Sequence, residues 1–275
     1  LAIAGGFAPL PPPSIAGGFA PLPPPSIAGG LAPLQPHAVR NVPRAGVIPD
    51  TAGVPPTLRQ RLRTIARRLA RAHGPVPPPR RLAPLDELVL TILSQNTSDT
   101  NRDRAYADLR RAFRRWDDVA AAPITAIATA IRRGGLAPTK APRIRAALRS
   151  LRDRGIRLDD RGLRGIGDRE LWELLVGLPG VGPKTAACVL LFSLDRPYFP
   201  VDTHVHRVAR RLGLVPERST AVAAQAALQD AVPPSEVYEL HMQLIRHGRH
   251  VCIARRPRCS ECVLSDICPK VGVTE

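Results

Sequence analysis

The chain has 275 residues, enough for one large domain or two modest ones. It carries 40 lysines and arginines against 23 aspartates and glutamates, a formal net charge of +17, which favours a polyanionic partner. Aromatic residues make up only 4%, which argues against a sheet that reads single strands by base stacking. No apolar run reaches about 18 residues, so the sequence excludes a membrane-spanning helix and no membrane partner is expected.

Residues 1–56 form a low-complexity segment rich in proline, glycine and alanine. Residues 3–14 read IAGGFAPLPPPS, residues 15–26 repeat these letters, and a degenerate third copy begins at Ile27. The segment holds 14 of the 31 prolines. A 12-residue repeat of this kind has no packing face. We therefore expect a disordered tail and assign it no function.

From Pro56 onward, apolar residues recur with helical spacing. Leu58, Leu62, Ile65 and Leu69 fall on one face of a first helix. The opposite face carries arginines that we expect to be solvated rather than bound to DNA: Arg59, Arg61, Arg63, Arg67, Arg68 and Arg71. Further helices are predicted over residues 85–94, 103–113, 124–131, 142–151, 169–176, 183–193, 203–212, 220–231 and 236–248. No strand alternation is present, so the sequence predicts an all-α fold of about ten helices.

The segment LPGVGPKTA, residues 178–186, is a candidate anion site. One helix is predicted to end at Gly177 and the next to begin at Pro183, where the missing N–H costs nothing. Gly180 and Gly182 allow the backbone to approach a ligand closely. The amide groups of this turn can then bind an anion, and on a basic protein the natural anion is a DNA phosphate. The alternative is an ordinary helical hairpin with a glycine cap.

These residues resemble the helix-hairpin-helix DNA repair glycosylases, and the resemblance covers about residues 56–270. It implies DNA contacts from five residues of the hairpin: Leu178, Gly180, Val181, Gly182 and Thr185. In the endonuclease III branch, the lysine that matches Lys184 attacks the sugar C1′ of a flipped nucleotide, and the Schiff base permits β-elimination. An amine can become nucleophilic when burial and nearby arginines lower its pKa, whereas an arginine cannot. The alternative role for Lys184 is a phosphate contact.

The segment PVDTHVHRVARRLGL, residues 200–214, contains the second candidate catalytic group. Asp202 is placed to cap the helix that follows. The same hydrogen bonds keep its carboxylate ionised, as stabilisation of an oxocarbenium-like sugar requires. VDTH followed by Arg207 resembles the family's second catalytic segment, which implies that Asp202 is the essential acid and that His204 fixes local geometry or contacts a phosphate. His206 departs from the family pattern, which tends to be apolar there.

Four of the five cysteines lie within the last 24 residues. They follow the spacing C-x6-C-x2-C-x5-C and are Cys252, Cys259, Cys262 and Cys268. A single C-x-x-C pair fits a [4Fe–4S] cluster better than zinc, which usually takes two such pairs and is the alternative. The spacing resembles the endonuclease III cluster loop, which implies a structural cluster. The loop between the first two ligands carries three arginines that we expect to meet the phosphate backbone: Arg255, Arg256 and Arg258. Cys188, by contrast, is expected to be a buried small apolar residue.

Two further segments resemble family loops that probe the duplex. LSQNTSDTNRDRA resembles the segment that fills the gap left by the flipped nucleotide, with Gln95 or Asn96 as the candidate. The alternative is a polar loop in which Asp99 or Asn101 caps the next helix. GGLAPTKA resembles the loop that wedges an apolar side chain into the duplex, with Leu136 as the candidate. Such a wedge offsets the cost of unstacking.

The resemblance implies a two-domain fold with a cleft that receives the flipped nucleotide. Residues 83–197 would form a central helical domain that ends with the hairpin, and residues 57–82 with 198–275 a helical iron–sulfur cluster domain. The expected protein is a monomeric, bifunctional DNA glycosylase and abasic-site lyase of base excision repair. It would remove oxidised pyrimidines from double-stranded DNA, in the cytoplasm and associated with the nucleoid.

Three alternative functions stay open. A thymine or uracil mismatch glycosylase shares these motifs. An adenine mismatch glycosylase normally lacks the lysine and carries an extra C-terminal domain, whereas this chain stops seven residues after Cys268. A non-catalytic DNA-binding module would not need both Lys184 and Asp202.

Overall fold

The computed structural model describes residues 56–273. The predicted tail lies outside the described residues, apart from Pro56. Within the described range there are eleven α-helices and no β-strand, so the predicted all-α fold is confirmed. The helices are α1 (Pro56–His73), α2 (Pro84–Leu93), α3 (Asp99–Ala112), α4 (Trp116–Ala121), α5 (Ile124–Ala130), α6 (Ala137–Asp153), α7 (Asp168–Val176), α8 (Pro183–Cys188), α9 (Thr203–Arg211), α10 (Ala221–Ala231) and α11 (Val237–His250). Between residues 56 and 273, none of them has the length and apolar character needed to cross a bilayer.

Helix α3 begins four residues earlier than predicted because of its cap. The Ser98 hydroxyl accepts a hydrogen bond from the backbone N–H of Asn101 at 3.3 Å. The capping residue is therefore Ser98 rather than Asp99 or Asn101, the two candidates taken from the sequence. Helix α4 was missed because its six residues are too few to show a helical period.

Helix α6 begins at Ala137 rather than at residue 142, so the predicted wedge loop is shorter than expected. The proline in the first turn of this helix is Pro138, and Pro142 lies inside the helix. Leu136, just before α6, adopts a left-handed backbone with φ of 52°. The predicted helix over residues 183–193 continues past α8 as a π-helical turn, Val189–Ser193.

The buried apolar side chains form two clusters. The first is built from α2 to α8 and includes Trp172, which stacks on Tyr198 at 5.2 Å between ring centroids. The second is built mainly from α1 and α9 to α11. The segment between α8 and α9 contributes to both clusters: Leu191 and Phe199 are buried in the second, whereas Tyr198 is buried in the first. The domain boundaries proposed from the sequence stay predictions.

Helix α1 packs on the second cluster through its predicted face. Leu62, Ile65 and Leu69 are all buried. The arginine face was expected to be solvated, but two of its arginines bond to the protein backbone. Arg61 donates to the backbone carbonyl of Gly213 at 3.1 Å and Arg68 to that of Val263 at 3.2 Å. These arginines hold α1 against the C-terminal part of the chain.

Candidate active site

The helical hairpin between α7 and α8 has the backbone that its glycines predict. Gly180 has φ of 76°, in the region that glycine adopts without strain. Gly182 precedes α8 in an extended conformation, and no side chain caps the helix. The first amide groups of α8 are therefore free to bond an external acceptor.

Three of the five predicted hairpin contacts have side chains that face the core. Leu178 is 2% exposed, Val181 6% and Thr185 4%. Their side chains cannot reach DNA from these positions, so any contact they make is through the backbone. Gly180 and Gly182 are exposed. In the hairpin, the part available for the predicted DNA contact is therefore the main chain of the turn.

Lys184 and Asp202 lie in one neighbourhood where the two apolar clusters meet. Lys184 is half-buried in the first turn of α8, and Asp202 is half-buried at the start of α9. Both charges act on the buried thiol of Cys188 and on the buried ring of His241. The structure therefore brings together the two groups that the sequence predicts to be catalytic.

Asp202 caps α9 as predicted. One carboxylate oxygen, Oδ1, accepts the backbone N–H of Val205 at 2.8 Å. The carboxylate lies at the positive end of the helix dipole. Asp202 thus has a fixed orientation near Lys184.

Glu87 is a candidate that sequence reasoning missed. It lies on α2, is 8% exposed, and accepts a hydrogen bond from the Thr91 hydroxyl at 3.0 Å. Burial raises the pKa of Glu87 from 4.5 to about 7, against the opposing effects of Thr91 and of the positive charges on Lys184 and Arg102. A carboxyl of this pKa exchanges protons at neutral pH. The signal in the sequence was a carboxylate within an otherwise apolar helical pattern.

Two buried groups beside Lys184 are held neutral. Burial lowers the pKa of His241, whose Nδ1–H donates to the carbonyl of Pro200 at 2.9 Å. Burial raises the pKa of Cys188 to about 11, so this residue remains a thiol, in keeping with the predicted apolar role. Cys188 and His241 therefore add no charge beside Lys184 and Asp202.

Arg207 fixes His204 in place. A guanidinium nitrogen, Nη2, donates to His204 Nδ1 at 3.2 Å, and Nε donates to the carbonyl of Cys252 at 2.9 Å. This favours the geometric role for His204 over the phosphate contact. The unusual His206 donates from Nε2 to the carbonyl of Ser219 at 2.8 Å, which accounts for a polar residue there.

The two predicted probing loops are exposed and have strained backbones. Leu136, at 51% exposure, is the most exposed large apolar side chain among residues 58–273. Asn96 is exposed with φ of 51°, and Gln95 is half-buried. Gln95 accepts a hydrogen bond on Oε1 from Arg143 at 3.0 Å. Non-glycine residues in the left-handed region persist only where their surroundings hold them, and they concentrate at functional sites.

The four C-terminal cysteines line one pocket, together with Arg211 and His247. Three of the four sulfurs, those of Cys252, Cys262 and Cys268, accept hydrogen bonds of the kind that supports thiolates. Arg211 donates to Cys252 at 3.4 Å, and the backbone N–H of Leu264 donates to Cys262 at 3.4 Å. Burial, with the nearby cysteine sulfurs, raises the pKa of Cys262. Four thiolates gathered here repel one another unless a cationic centre binds them.

The donor set distinguishes an iron–sulfur cluster from zinc. A structural zinc ion usually takes two C-x-x-C pairs, whereas this segment has one. A [4Fe–4S] cubane takes one cysteine on each of four irons. The four cysteines in the lining of the pocket fit that group. The arginines of the loop between the first two cysteines are exposed: Arg255, Arg256 and Arg258.

Comparison with known proteins gives matches along most of the described chain. The family model of the HhH-GPD superfamily of base excision DNA repair proteins matches residues 89–234, and that of the iron–sulfur binding domain of endonuclease III matches residues 252–268. Endonuclease III of Thermotoga maritima is 34% identical over 207 residues, which cover 75% of this chain and 89% of that protein. A protein of Arabidopsis thaliana, provisionally named a DNA glycosylase, is 40% identical over 193 residues. The match covers 68% of this chain and 65% of the plant protein.

A solved structure gives the same assignment. A trapped endonuclease III–DNA covalent intermediate, an estranged-adenine complex, superposes with a TM-score of 0.67 at 28% identity. The match covers 77% of this chain and 96% of that one. The uncapped hairpin and the pocket of cysteines thus define a helix-hairpin-helix base excision DNA repair enzyme. Within that superfamily the chain belongs to the endonuclease III family, as a DNA glycosylase whose cofactor is a [4Fe–4S] cluster.

Proposed function

We propose that this glycosylase removes oxidised pyrimidines from double-stranded DNA and cleaves the strand at the resulting abasic site through Lys184. The observation that carries the proposal is the shared neighbourhood of Lys184 and Asp202, whose charges act on the same buried groups, Cys188 and His241. One lies directly after the hairpin and the other caps the helix beyond it. A module that only binds DNA has no use for an amine and a carboxylate held together in this way.

In the proposed reaction the neutral amine of Lys184 attacks the sugar C1′. The bond from C1′ to the base breaks, and the base leaves with the electron pair and takes up a proton. Asp202, oriented by its cap, stabilises the positive charge that develops on the sugar. Glu87, with a pKa of about 7, is the group that can accept the proton Lys184 must lose.

Strand cleavage follows from the bond between Lys184 and C1′. The sugar ring opens to an iminium ion, and loss of a proton from C2′ expels the 3′ phosphate with the electron pair of its C–O bond. Water then hydrolyses the imine, which releases an unsaturated aldehyde and regenerates the free amine. Atoms and charges balance without an external oxidant or reductant.

DNA is proposed to bind across the hairpin and the two probing loops. The amides of the turn at Gly180 and Gly182 would hold a phosphate, and the exposed Leu136 would wedge into the duplex. Gln95 or Asn96 would fill the gap left by the flipped nucleotide. We expect the enzyme to act as a monomer.

The four cysteines are proposed to hold the [4Fe–4S] cluster. When bound, the cluster supplies positive charge that neutralises the thiolates and a rigid anchor for the loop between the first two ligands. Arg211 supports that anchor, since it donates to the carbonyls of Ile253 at 2.7 Å and Ala254 at 3.0 Å. The exposed arginines of that loop would then face the phosphate backbone. We also propose the domain division given above, with the site at the boundary.

Borohydride trapping on a duplex with an abasic site tests the proposal. The wild-type enzyme should form a covalent adduct, and Lys184→Gln and Lys184→Arg should not. Lys184→Arg keeps the positive charge, so intact DNA binding with no adduct separates a nucleophile from a phosphate contact. An adduct that survives in Lys184→Arg would contradict the assignment. Excision from duplexes with oxidised pyrimidines, mismatched uracil or thymine, or mismatched adenine then decides the substrate.

A further inference from the structure

The side chain of Lys140 is buried in the middle of the first apolar cluster. It is 1% exposed, although it carries an ammonium group. Its Nζ donates to the backbone carbonyl of Leu93 at 2.7 Å and to that of Gly134 at 2.9 Å. A methionine would fill this space without the cost of desolvating a charge. The reason for a lysine at this position is therefore its pair of hydrogen bonds to the carbonyls of Leu93 and Gly134.

Those two carbonyls stand where the two probing loops begin. Leu93 is the last residue of α2, and Gln95 and Asn96 follow at once. Gly134 ends a short 3₁₀ turn two residues before Leu136. Carbonyls at the ends of helices lack partners within the helix and attract cations. One ammonium thus fixes the starting points of both loops relative to each other.

The same helix makes a second link to the gap-filling loop. Arg143, one turn beyond Lys140 on α6, donates to Gln95 Oε1 at 3.0 Å. Its aliphatic part lies against the hairpin, because a Cβ added at Gly180 would stand 2.8 Å from Arg143 Cγ. Leu136 itself directly precedes α6. The wedge, the gap-filling loop and the hairpin therefore all contact one rigid element.

The two loops have unfavourable backbone conformations that the bonds from Lys140 help to hold. Asn96 and Leu136 have φ of 51° and 52°, conformations that side-chain-bearing residues rarely adopt. Such backbones relax unless neighbouring contacts hold them. The two bonds from Lys140 lie within three residues of both strained positions, and each is a charge-assisted bond between buried groups.

We propose that Lys140 is a positioning residue that sets the wedge and the gap-filling loop at a fixed separation, so that both enter the duplex in one step. The inference rests on the proposed function, because it needs Leu136 and Gln95 or Asn96 to enter DNA. It does not need the chemistry assigned to Lys184.

A double-mutant cycle tests the coupling. Lys140→Met keeps the side-chain length and removes both hydrogen bonds, and Leu136→Ala removes the wedge. Each should lower kcat/KM on a duplex lesion at least about tenfold, Lys140→Met because two charge-assisted bonds are lost and Leu136→Ala because the wedge is removed. Because Lys140 acts on the wedge and on the gap-filling loop, the double variant should lose less activity than the product of the two single effects. Independent, multiplying effects would overturn the proposal.

A fluorescence measurement keeps the proposal separate from the chemistry. With 2-aminopurine opposite an abasic site, wild type and Lys184→Gln should give the same change on binding, because neither loop is altered. Lys140→Met should lose most of this change at saturating protein, whereas Arg152→Met, at an exposed residue of the same helix, should keep it. An unchanged response in Lys140→Met would refute the positioning role. A normal response in wild type that forms no adduct would instead refute the lyase assignment alone.

Discussion

The buried carboxyl of Glu87 makes stability fall as the pH rises. Burial raises its pKa in the folded enzyme from 4.5 to about 7. The folded state therefore binds this proton more tightly than the unfolded state does. The contribution of Glu87 to the free energy of unfolding is greatest below pH 4.5 and is lost as the pH rises through 7. At about 1.4 kcal/mol for each pH unit, the full loss by pH 8 is about 3 kcal/mol.

Glu87→Gln removes this dependence while keeping an oxygen for the Thr91 hydroxyl. The variant should match wild type in stability near pH 4.5 and exceed it by about 3 kcal/mol at pH 8. For a domain of this size, that corresponds to about 6–12 °C in Tm. The measurement is the difference in Tm between wild type and Glu87→Gln at each pH, with both proteins at the same cluster content. This difference gives the contribution of Glu87 to stability.

The control for this experiment is Glu217→Gln, which removes an exposed carboxylate. Its melting temperature should track that of wild type at every pH. The reasoning about burial is wrong if the difference between Glu87→Gln and wild type is the same at pH 5 and pH 8. It is equally wrong if the difference has the opposite sign at pH 8.

Three further predictions follow from the hairpin, the net charge and the cysteine pocket. Gly180→Ala should lower DNA affinity and stability, by about 1 kcal/mol or more, because φ is 76° and the new Cβ meets Arg143. At Gly182 a new Cβ meets no protein atom within 4 Å, so Gly182→Ala should melt at the temperature of wild type. With a net charge of +17, DNA affinity should fall steeply with salt in an anisotropy titration, and a flat profile would contradict the phosphate interface. Arg211→Met should lower iron content and visible absorbance after anaerobic purification, whereas the exposed Arg218→Met should not.

The parts of the fold that could be predicted from the sequence are those that depend on neighbouring residues, such as the spacing of apolar side chains or the position of glycines. The apolar spacing of α1 identified its buried face, and the glycines of the hairpin identified the turn at Gly180. The starts of α3 and α6 were wrong because they depend on a hydroxyl cap at Ser98 and on the left-handed residue Leu136. Neither leaves a periodic signal.

The candidate site was predictable where chemistry demands a rare residue type. Lys184 stood out as one of three lysines among 40 basic residues. Glu87 and Lys140 did not, because their meaning comes from burial, which depends on helices distant in sequence. Arg211 likewise resembles any other arginine of the chain until the cysteine loop folds over it.

The stability that the buried carboxyl of Glu87 costs at pH 8 indicates that this residue has a function other than stabilising the fold. A glutamine would keep the bond to Thr91 and spare the fold a buried charge, so stability alone does not favour the carboxyl. Glu87 lies close enough to feel the charge of Lys184, and at neutral pH it can both take up and release a proton. A lysine nucleophile must lose a proton before it attacks, which gives such a carboxyl a purpose. Glu87→Gln should therefore gain stability at pH 8 yet form the borohydride-trapped adduct more slowly, with the loss greatest near pH 7. A variant that is both more stable and fully active would remove Glu87 from the mechanism.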